Sequence, residues 1–392
     1  MTKREIRKGV LWAGTVDWDR RLFDSLIPLP DGTTYNAYLV KGGSATALID
    51  ATDPAKIAQL EEHLADVPKI DYLISQHTEQ DHSGAIPFVL AKYPAAKLVC
   101  TPLAKGMLVD HLAVDPGRIV TAADGERLSL GDRTLRFIHT PWVHWPETMS
   151  TYLEEERVLF SCDWFGSHLA ASEPFVADEG RVFEPAKRYF AEIMQPFRAV
   201  IRTNLDKIKD LPIDVIAPSH GPIYPRPAFI IEAYEDWASE TPKNLVVLPK
   251  VSMHGSTALM ADHLTAALAR KGVGVQPFDL AATDVGKLAM SLVDAATIVI
   301  ACPAVHVGPH PLAASAAYLA NALRPKARFV SIVGSFGWAN RIVETLSGLI
   351  PNIRAEVLTP VIAKGLPKDA DFRALEALAG AIAEKHKAAG LL

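Results

Sequence analysis

A short segment, HTEQDHSGAIP, contains four side chains that can bind a metal: His77, Glu79, Asp81 and His82. It follows a predicted buried strand and precedes a predicted helix, so we expect a strand-to-helix loop at the carboxyl edge of a sheet. A polar loop that only caps the next helix, through Asp81 or Ser83, is the alternative. Two imidazoles and two carboxylates so close together favour a metal site.

Three more candidate ligands follow downstream, each near the end of a predicted strand: His144, Asp163 and His220. A single histidine near a strand end is usually structural, but three such strand ends together favour a shared site. Seven ligands are too many for one metal and suit two metals with a bridging carboxylate. Asp163 stands alone between the outer ligands, so we expect it to bridge.

The second half of the chain contains a loop, SMHGST, that offers hydroxyl and backbone N–H groups at a predicted helix N-terminus. Such a loop can bind phosphate. The pattern GxxxxGK[ST] is absent, so the loop suits a monophosphate better than a nucleoside triphosphate. A capped helix after a glycine turn is the alternative. The candidate residues are Ser252, Met253, His254, Gly255, Ser256 and Thr257.

Two further loops follow predicted strands at the same sheet edge, as in a flavin-binding doubly wound domain. We expect Trp338 to stack on an isoalloxazine ring, and packing between loop and helix is the alternative. The candidates in these loops are Pro303, Ala304, Val305, His306 and Gly308, then Ser335, Phe336, Gly337 and Trp338.

The elements that must position these residues differ between the two parts of the chain. Up to about residue 243, short apolar runs of strand length mix with helical patterns, which indicates an α/β or α+β sandwich. From there, strands and helices alternate strictly, which indicates a doubly wound parallel sheet. We therefore predict two domains, 1–243 and 244–392. Pro249 lies within the first strand of the second domain and predicts an edge or a bulge there.

Composition limits the function classes. The chain has 392 residues, of which 49% are hydrophobic and 22% charged, with a formal net charge of −5. These values exclude a disordered chain and do not suggest a broad nucleic-acid surface. No run of about 18 uncharged apolar residues predicts a membrane span, and the first residues lack the apolar core of a signal peptide. Three scattered cysteines predict no disulfide framework and favour a cytoplasmic location.

The metal-capable loop resembles that of the metallo-β-lactamase superfamily, whose pattern is H-x-H-x-D-H. Here Glu79 replaces the second histidine. Added carboxylates supply harder, anionic ligands than imidazoles do. We therefore expect iron rather than zinc, and redox chemistry rather than hydrolysis.

Together with the second-domain loops, the chain resembles a flavodiiron protein (A-type flavoprotein) over essentially its whole length. The segments DRRLFDSLIPLPDGTTYNAYLV and HWPETMSTYL also look like that family. The resemblance implies a metallo-β-lactamase-like αββα sandwich followed by a flavodoxin-like domain. It implies one iron on His77, Glu79 and His144, and another on Asp81, His82 and His220, with Asp163 bridging.

The resemblance also implies the activity and the partners. FMN would deliver electrons to the diiron site, which would reduce dioxygen to water or nitric oxide to nitrous oxide. Subunits would pair head to tail, as a dimer or a tetramer, to bring one chain's FMN beside the other's irons. No CxxC pair is present, so electrons would come from a separate rubredoxin-like protein or a reduced deazaflavin. We expect no nucleic-acid or membrane partner.

Three questions stay open at this level. His139 and His168 are candidates for orienting the metal ligands, and each is equally explained as a structural histidine. Some family members carry a histidine in the N-terminal loop near the metals, whereas this chain reads LFDSLIPLP there. The preferred gas and the polarity of the pocket are therefore left open. The rival functions are a dinuclear zinc hydrolase fused to a flavodoxin-like domain, and an electron carrier whose metal site is only structural.

Overall fold

The computed structural model describes residues 3–392, which form two compact units. The first unit ends at Ala238, and the second spans Ser239–Leu392. The predicted boundary between residues 243 and 244 falls at the first residue of the strand Lys243–Lys250. No helix in the described part of the chain is long and apolar enough to cross a bilayer.

Two sheets form the centre of the first unit. In order along the chain its strands are β1 (Arg4–Arg7), β2 (Val10–Trp12), β3 (Thr15–Asp17), β4 (Leu22–Phe23), β5 (Ile27–Pro28), β6 (Thr33–Tyr35), β7 (Tyr38–Lys41), β8 (Thr46–Ile49), β9 (Tyr72–Ile74), β10 (Lys97–Cys100), β11 (Ile119–Thr121), β12 (Arg127–Ser129), β13 (Thr134–His139), β14 (Met149–Leu153), β15 (Val158–Cys162) and β16 (Val215–Pro218). The seven-stranded sheet has the order β1-β2-β7-β8-β9-β10-β11, and the five-stranded sheet has the order β12-β13-β14-β15-β16. Two short ribbons, β3-β6 and β4-β5, complete the strands.

The helices of the first unit lie between its strands or after the last of them. They are α1 (Ile57–His63), α2 (Gln80–Ser83), α3 (Ile86–Lys92), α4 (Pro102–Leu112), α5 (Glu179–Tyr189), α6 (Arg198–Ile208) and α7 (Pro227–Ala238), with a π-helical segment at Phe190–Met194. Two helical patterns of the sequence, at 54–65 and 85–92, correspond to α1, which the 3₁₀ turn Pro54–Lys56 precedes, and to α3.

Successive side chains of the strands point to opposite faces of the sheets, and this divides the first unit into layers. Ile49 and Phe160 point into one apolar cluster shared by the two large sheets, whereas Leu48 packs on the opposite face with helix residues such as Leu60. On the outer face of the five-stranded sheet, the Tyr152 hydroxyl donates to a backbone carbonyl just after α6. Burial on both faces explains why these strands read as continuous apolar runs. The predicted αββα sandwich is confirmed.

The second unit is a parallel α/β layer structure. Its strands are β17 (Lys243–Lys250), β18 (Gly274–Asp279), β19 (Ala295–Val305), β20 (Gly308–Pro309), β21 (Phe329–Phe336), β22 (Glu356–Val357) and β23 (Val361–Lys364). Its helices are α8 (Ser256–Arg270), α9 (Val285–Asp294), α10 (Pro311–Leu323), α11 (Ile342–Gly348) and α12 (Asp369–Ala388). The order β18-β17-β19-β21, with β22 and β23 beside β21, is the flavodoxin-like 2-1-3-4-5 arrangement. The predicted doubly wound domain is confirmed.

Two features of this sheet differ from the sequence-based expectations. Pro249 lies in an interior strand, because β17 pairs in parallel with β18 on one side and β19 on the other. Its missing N–H is therefore tolerated inside the sheet, and the predicted edge is wrong. The alternative, a bulge near the boundary, agrees with a register irregularity between Lys243 and Val246 in the pairing of β17 with β19. The β18–α9 pair was not predicted, because Gly274–Asp279 is an edge strand with half or more of its residues exposed and a proline inside it.

Candidate metal centre and cofactor cavity

Metal-capable side chains of the first unit converge from four separate segments. His77 and Glu79 lie in the loop after β9, and Asp81 and His82 lie in the one-turn helix α2. The remaining three lie elsewhere in the chain. His144 precedes β14, Asp163 directly follows β15, and His220 follows β16. All seven predicted ligands are therefore placed at strand ends or in the loops that connect them, and they meet in one cluster.

Asp163 lies at the centre of this cluster. Its Oδ2 is 3.5 Å from His77 Nε2 and 3.4 Å from His144 Nε2. Its Oδ1 is 3.0 Å from His82 Nε2 and 3.4 Å from His220 Nε2. Each carboxylate oxygen thus faces its own pair of imidazoles, which is the geometry a bridging ligand requires.

The other two carboxylates divide between the same pairs. Glu79 Oε2 is 3.1 Å from His77 Nε2 and 3.3 Å from His144 Nε2. Asp81 faces the other pair, with Oδ1 3.3 Å from His82 Nε2 and Oδ2 3.1 Å from His220 Nε2. We call the first group position A (His77, Glu79, His144) and the second position B (Asp81, His82, His220), with Asp163 common to both.

Unpaired buried atoms show what the cluster fits. Among residues 3–392, both Asp81 carboxylate oxygens, His82 Nε2 and Asp163 Oδ1 are buried without a hydrogen-bond partner, because their close contacts with one another do not have hydrogen-bond geometry. Buried polar atoms rarely remain unsatisfied, because the loss of hydration costs about 1–3 kcal/mol for each group. Two metal ions would satisfy these atoms. Three carboxylates also offset most of the charge of two divalent cations.

The cluster creates a strongly negative potential. Burial acts to lower the pKa of His82, but the charges of Asp163 and Asp81 outweigh it and raise that pKa to about 10. Conversely, burial acts to raise the pKa of Asp163, and the neighbouring imidazoles, first His82, hold it well below its ordinary value. The field that stabilises a cationic imidazole would also attract metal cations.

Outer contacts orient two of the imidazoles. His77 Nδ1 is 2.7 Å from Glu147 Oε1, and His220 Nδ1 is 2.7 Å from the Thr34 carbonyl oxygen. Sequence reasoning did not single out Glu147, although it lies in the same loop as His144. Its role is visible only in three dimensions, because it is 70 residues from His77 in the chain.

The two histidines proposed to orient the ligands have different surroundings. His168 lies beside the cluster, where its ring centroid is 4.9 Å from that of His220 and its Nδ1 is 2.9 Å from the Thr33 hydroxyl. Burial and the neighbouring His220 hold the pKa of His168 well below its ordinary value. The His139 ring instead lies 3.0 Å from the Ala122 carbonyl oxygen. The structure therefore brings His168, and not His139, to the ligands.

A small cavity of about 180 Å³ opens onto the cluster. Besides the predicted metal ligands, its walls include Phe23, Asp24 and Ile27 from the β4-β5 ribbon, Tyr189 at the end of α5 and Ile193 in the π-helical segment. Burial, followed by the charges of Glu79 and Asp81, raises the pKa of Asp24. A cavity of this size has room for a diatomic molecule beside the ligands.

The second unit has a larger cavity of about 590 Å³ at the carboxyl edge of its sheet. This volume lies in the range of cofactor sites. Thirteen of the predicted residues line it: Ser252, Met253, His254, Ser256, Thr257, Pro303, Ala304, Val305, His306, Ser335, Phe336, Gly337 and Trp338. Gly365 and Leu366, which follow β23, also line it and were not predicted.

The two remaining predicted residues shape the loops from outside the cavity lining. Gly255 has a φ of +92°, which turns the chain into α8, and Gly308 lies in β20, which pairs with β19. Ser252 Oγ accepts hydrogen bonds of 3.2 Å from the Gly255 and Ala258 N–H groups. The loop is thus preformed at a helix N-terminus, where backbone N–H groups can bind an anion. Trp338 is 79% exposed, which leaves its ring free to stack on a planar ligand.

Comparisons with known proteins agree with this geometry. A family described as "ODP family beta lactamase" matches residues 33–221, the part of the chain that contains the metal-capable cluster. A protein from Moorella thermoacetica named nitric oxide reductase is 36% identical over 352 residues, which cover 86% of this chain and 88% of that protein.

Solved structures match the whole chain. The structure of rubredoxin oxygen:oxidoreductase from Desulfovibrio gigas has a TM-score of 0.95 and 29% identity, with 100% of both chains covered. The flavodiiron protein from Giardia intestinalis has a TM-score of 0.93 and 25% identity, with 99% of this chain and 98% of that chain covered. Near-complete coverage in sequence and in structure leads to one conclusion: the chain belongs to the flavodiiron family, the A-type flavoproteins.

Proposed function

We propose that this protein is an oxidoreductase that reduces dioxygen to water, nitric oxide to nitrous oxide, or both. The observation that carries the proposal is the position of Asp163, whose two oxygens face separate pairs of imidazoles. That arrangement suits two metal ions with an open side toward a small cavity. The names of the similar proteins, a nitric oxide reductase and a rubredoxin oxygen:oxidoreductase, agree with this chemistry.

Each metal would be iron. His77, Glu79 and His144 would hold one ion, Asp81, His82 and His220 the other, and Asp163 would bridge them. Three carboxylates among seven ligands favour iron over zinc, because hard anionic ligands stabilise a ferric ion. The rival zinc hydrolase, fused to a flavodoxin-like domain, gives a cofactor in the cavity of the second unit no part in the reaction.

When bound, the two irons would supply electrons and a binding position for the gas, and FMN would supply electrons in turn. The chain's own residues do the rest. The buried ligands fix the spacing of the two positions, and the apolar side chains Phe23, Ile27 and Ile193 limit the cavity to a small molecule. Burial of the cluster also keeps bulk water away from the reacting gas.

FMN would occupy the cavity of the second unit. The loop Ser252–Thr257 would bind the phosphate with hydroxyl and backbone N–H groups, and Trp338 would stack on the flavin ring. We propose that the two domains are 1–243 and 244–392 and that the protein works in the cytoplasm.

Electrons would arrive from a separate donor, either a rubredoxin-like protein or a reduced deazaflavin. The name of the Desulfovibrio gigas protein includes rubredoxin, which supports the first. We also propose a head-to-tail homodimer, or a tetramer built from it, because electron transfer between FMN and iron requires a short distance.

Gas consumption by the reduced, iron- and FMN-loaded protein tests the proposal. Dioxygen and nitric oxide are supplied separately to an otherwise anaerobic sample, and iron, zinc and FMN are counted on the same sample. Two irons and one FMN per chain with rapid uptake of either gas support the proposal, and the faster gas is the preferred substrate. Zinc in place of iron, without uptake, favours the hydrolase.

Asp163→Asn separates the enzyme from the electron carrier. If the protein is an electron carrier whose metal site is only structural, the variant keeps the electron transfer through flavin that the wild-type protein shows. If the proposal holds, the variant loses gas reduction but its flavin is still reduced by the donor. Asp206→Asn, a change of the same kind at an exposed position, is the control.

A further inference from the structure

The four imidazoles of the cluster differ in the partner of Nδ1, the ring nitrogen that points away from Asp163. Each directs Nε2 toward Asp163. The structure gives a hydrogen bond at Nδ1 for one imidazole in each position. In position A, His77 Nδ1 meets the Glu147 carboxylate at 2.7 Å, whereas in position B, His220 Nδ1 meets the Thr34 backbone carbonyl at 2.7 Å. An anion supports one position and a neutral dipole supports the other.

The Glu147 carboxylate is held firmly in this role. Its side chain is buried, and its Oε1 accepts from the Thr78 N–H at 3.0 Å and from the Thr78 hydroxyl at 2.7 Å as well as from His77. The Thr101 hydroxyl donates to the Glu147 backbone carbonyl at 2.8 Å. Trp145 packs perpendicular to the His77 ring, with centroids 4.9 Å apart. His77 therefore has little freedom to rotate or shift.

A carboxylate at Nδ1 also determines how His77 binds a metal. Because Glu147 only accepts, His77 carries its proton on Nδ1 and presents the lone pair of Nε2 to the metal. An anion hydrogen-bonded to the far nitrogen makes the imidazole a stronger electron donor, and such partners commonly contribute 10–100-fold to metal affinity. The carbonyl beside His220 fixes the same tautomer but brings no full charge.

The ligands themselves do not make the two positions unequal in donor strength. Each position has two imidazoles, one carboxylate of its own and one oxygen of Asp163. Asp50 is a further buried carboxylate near His82, but its oxygens accept from the Gln76 N–H and side-chain amide and from the Ser219 hydroxyl. The unequal donor strength therefore comes mainly from Glu147.

We propose that Glu147 is a positioning residue that makes the two positions unequal, so that position A binds its ion more tightly and holds it at the lower reduction potential. This inference rests on the proposed function, because it requires an iron in each position. It goes beyond that function by assigning an order to the two irons. The ion at position A is the one that is oxidised first when the reduced centre loses a single electron.

Glu147→Gln is the test variant, because glutamine keeps the size of the side chain and an oxygen that accepts from His77 and Thr78 while the charge is lost. Glu154→Gln is the matched control, since Glu154 directly follows β14, as Glu147 lies just before it, but pairs with Arg127. Metal-free protein is titrated anaerobically with ferrous iron, and the half-oxidised, ⁵⁷Fe-loaded protein is examined by Mössbauer spectroscopy. His144→Ala and His220→Ala assign the spectral components to positions A and B.

We expect Glu147→Gln to weaken the tighter of the two binding steps by about 10–100-fold and to leave the other unchanged. We also expect the ferric component of the half-oxidised protein to move from position A toward position B, while the melting temperature of the metal-free protein stays unchanged. Two unchanged binding steps, or equal weakening of both steps together with a lower melting temperature, would overturn the inference. If the wild-type protein itself does not bind two irons, the proposed function fails instead.

Discussion

The two candidate sites of this molecule are built in opposite ways. In the metal centre, charged side chains from distant parts of the chain are buried and contact one another; Asp163, for example, is only 1% exposed. In the cavity of the second unit, which we call the flavin cavity, the loops after β17, β19, β21 and β23 supply small side chains, backbone groups and exposed apolar residues such as Trp338 and Met253. The first site depends on exact side-chain chemistry, and the second depends on backbone shape. Substitutions should therefore have different effects in the two units.

Asp163→Asn should have the largest effect. An amide cannot bridge two cations with two anionic oxygens, so we expect at least about 100-fold weaker binding of the iron pair and a comparable loss of gas reduction. FMN content should be unchanged. Iron and FMN counts on the purified variant, with gas uptake, test this. Equal loss of both cofactors would show that the two units do not behave independently.

Gly221→Ala should be the next most damaging change. Gly221 follows His220 with a φ of +76°, and a Cβ added there would lie 2.1 Å from Ser167 Oγ and 2.4 Å from its carbonyl oxygen. Positive φ and this overlap together should cost about 2–4 kcal/mol of the unfolding free energy. We expect chemical denaturation to show the loss and iron binding to fall with it. Unchanged stability would mean that the segment around Ser167 moves away from the added methyl group at little cost.

Gly255→Ala is the matching change in the flavin cavity, and it should be milder. Gly255 has a φ of +92°, but nothing lies within 4 Å of an added Cβ. Only the backbone cost of about 1–2 kcal/mol remains, which corresponds to roughly 5–30-fold weaker FMN binding if the loop shifts to relieve it. Flavin fluorescence titration measures the affinity. Gly380→Ala, in helix α12, should leave FMN binding unchanged, and a similar loss in that control would remove the loop-specific explanation.

Trp338→Ala should have a smaller effect on the same cavity. Loss of one stacking partner is worth about 0.5–1.5 kcal/mol, which is roughly 2–10-fold in FMN affinity. Tyr318→Ala removes an aromatic ring that is also exposed, at 67%, but is not part of the cavity lining. If both variants bind FMN like the wild type, Trp338 does not contact the flavin.

The smallest expected effect concerns pH and the stability of the second unit. His386 is fully buried between the Thr297 hydroxyl and the Asn244 side-chain oxygen, and this burial lowers its pKa. The unfolded chain therefore binds a proton that the folded unit does not, and stability falls as the pH drops below the ordinary histidine pKa of about 6.5. Denaturation at pH 8 and pH 5.5 should show a larger decrease for the wild type than for His386→Gln. An equal decrease in both would assign the pH dependence to other groups.

The sequence identifies site residues best where the function requires particular side-chain types. The loop around His77 and the strand-end residues Asp163 and His220 could be identified because metal ligands are few in kind and occur at strand ends. Glu147 was missed because nothing in the local sequence distinguishes a carboxylate that supports a histidine from one that faces solvent. For His139 the alternative of a structural histidine fits better, because its ring lies against the Ala122 carbonyl oxygen and sequence proximity to the ligands does not determine where a ring points.

Secondary structure was predicted best for buried strands, whose apolar runs are continuous. The edge strand β18 has no such run, because only Val275 and Phe278 among its six residues are partly buried, and so its whole β–α unit was missed. The interior position of Pro249 could not be inferred, because the rule that places proline at edges is statistical. The cavity residues Gly365 and Leu366 were missed because they belong to a loop whose short preceding strand, β23, was not predicted.

The most direct test of the account is whether Asp163 joins two irons. Iron-loaded wild-type protein, reduced by one electron from the fully oxidised state, should be measured by electron paramagnetic resonance, with iron counted on the same sample. The account predicts two irons per chain and a signal from a spin-coupled ferric–ferrous pair, which Asp163→Asn abolishes. A single iron per chain, or two irons with the signal of an isolated ferric ion, would contradict it.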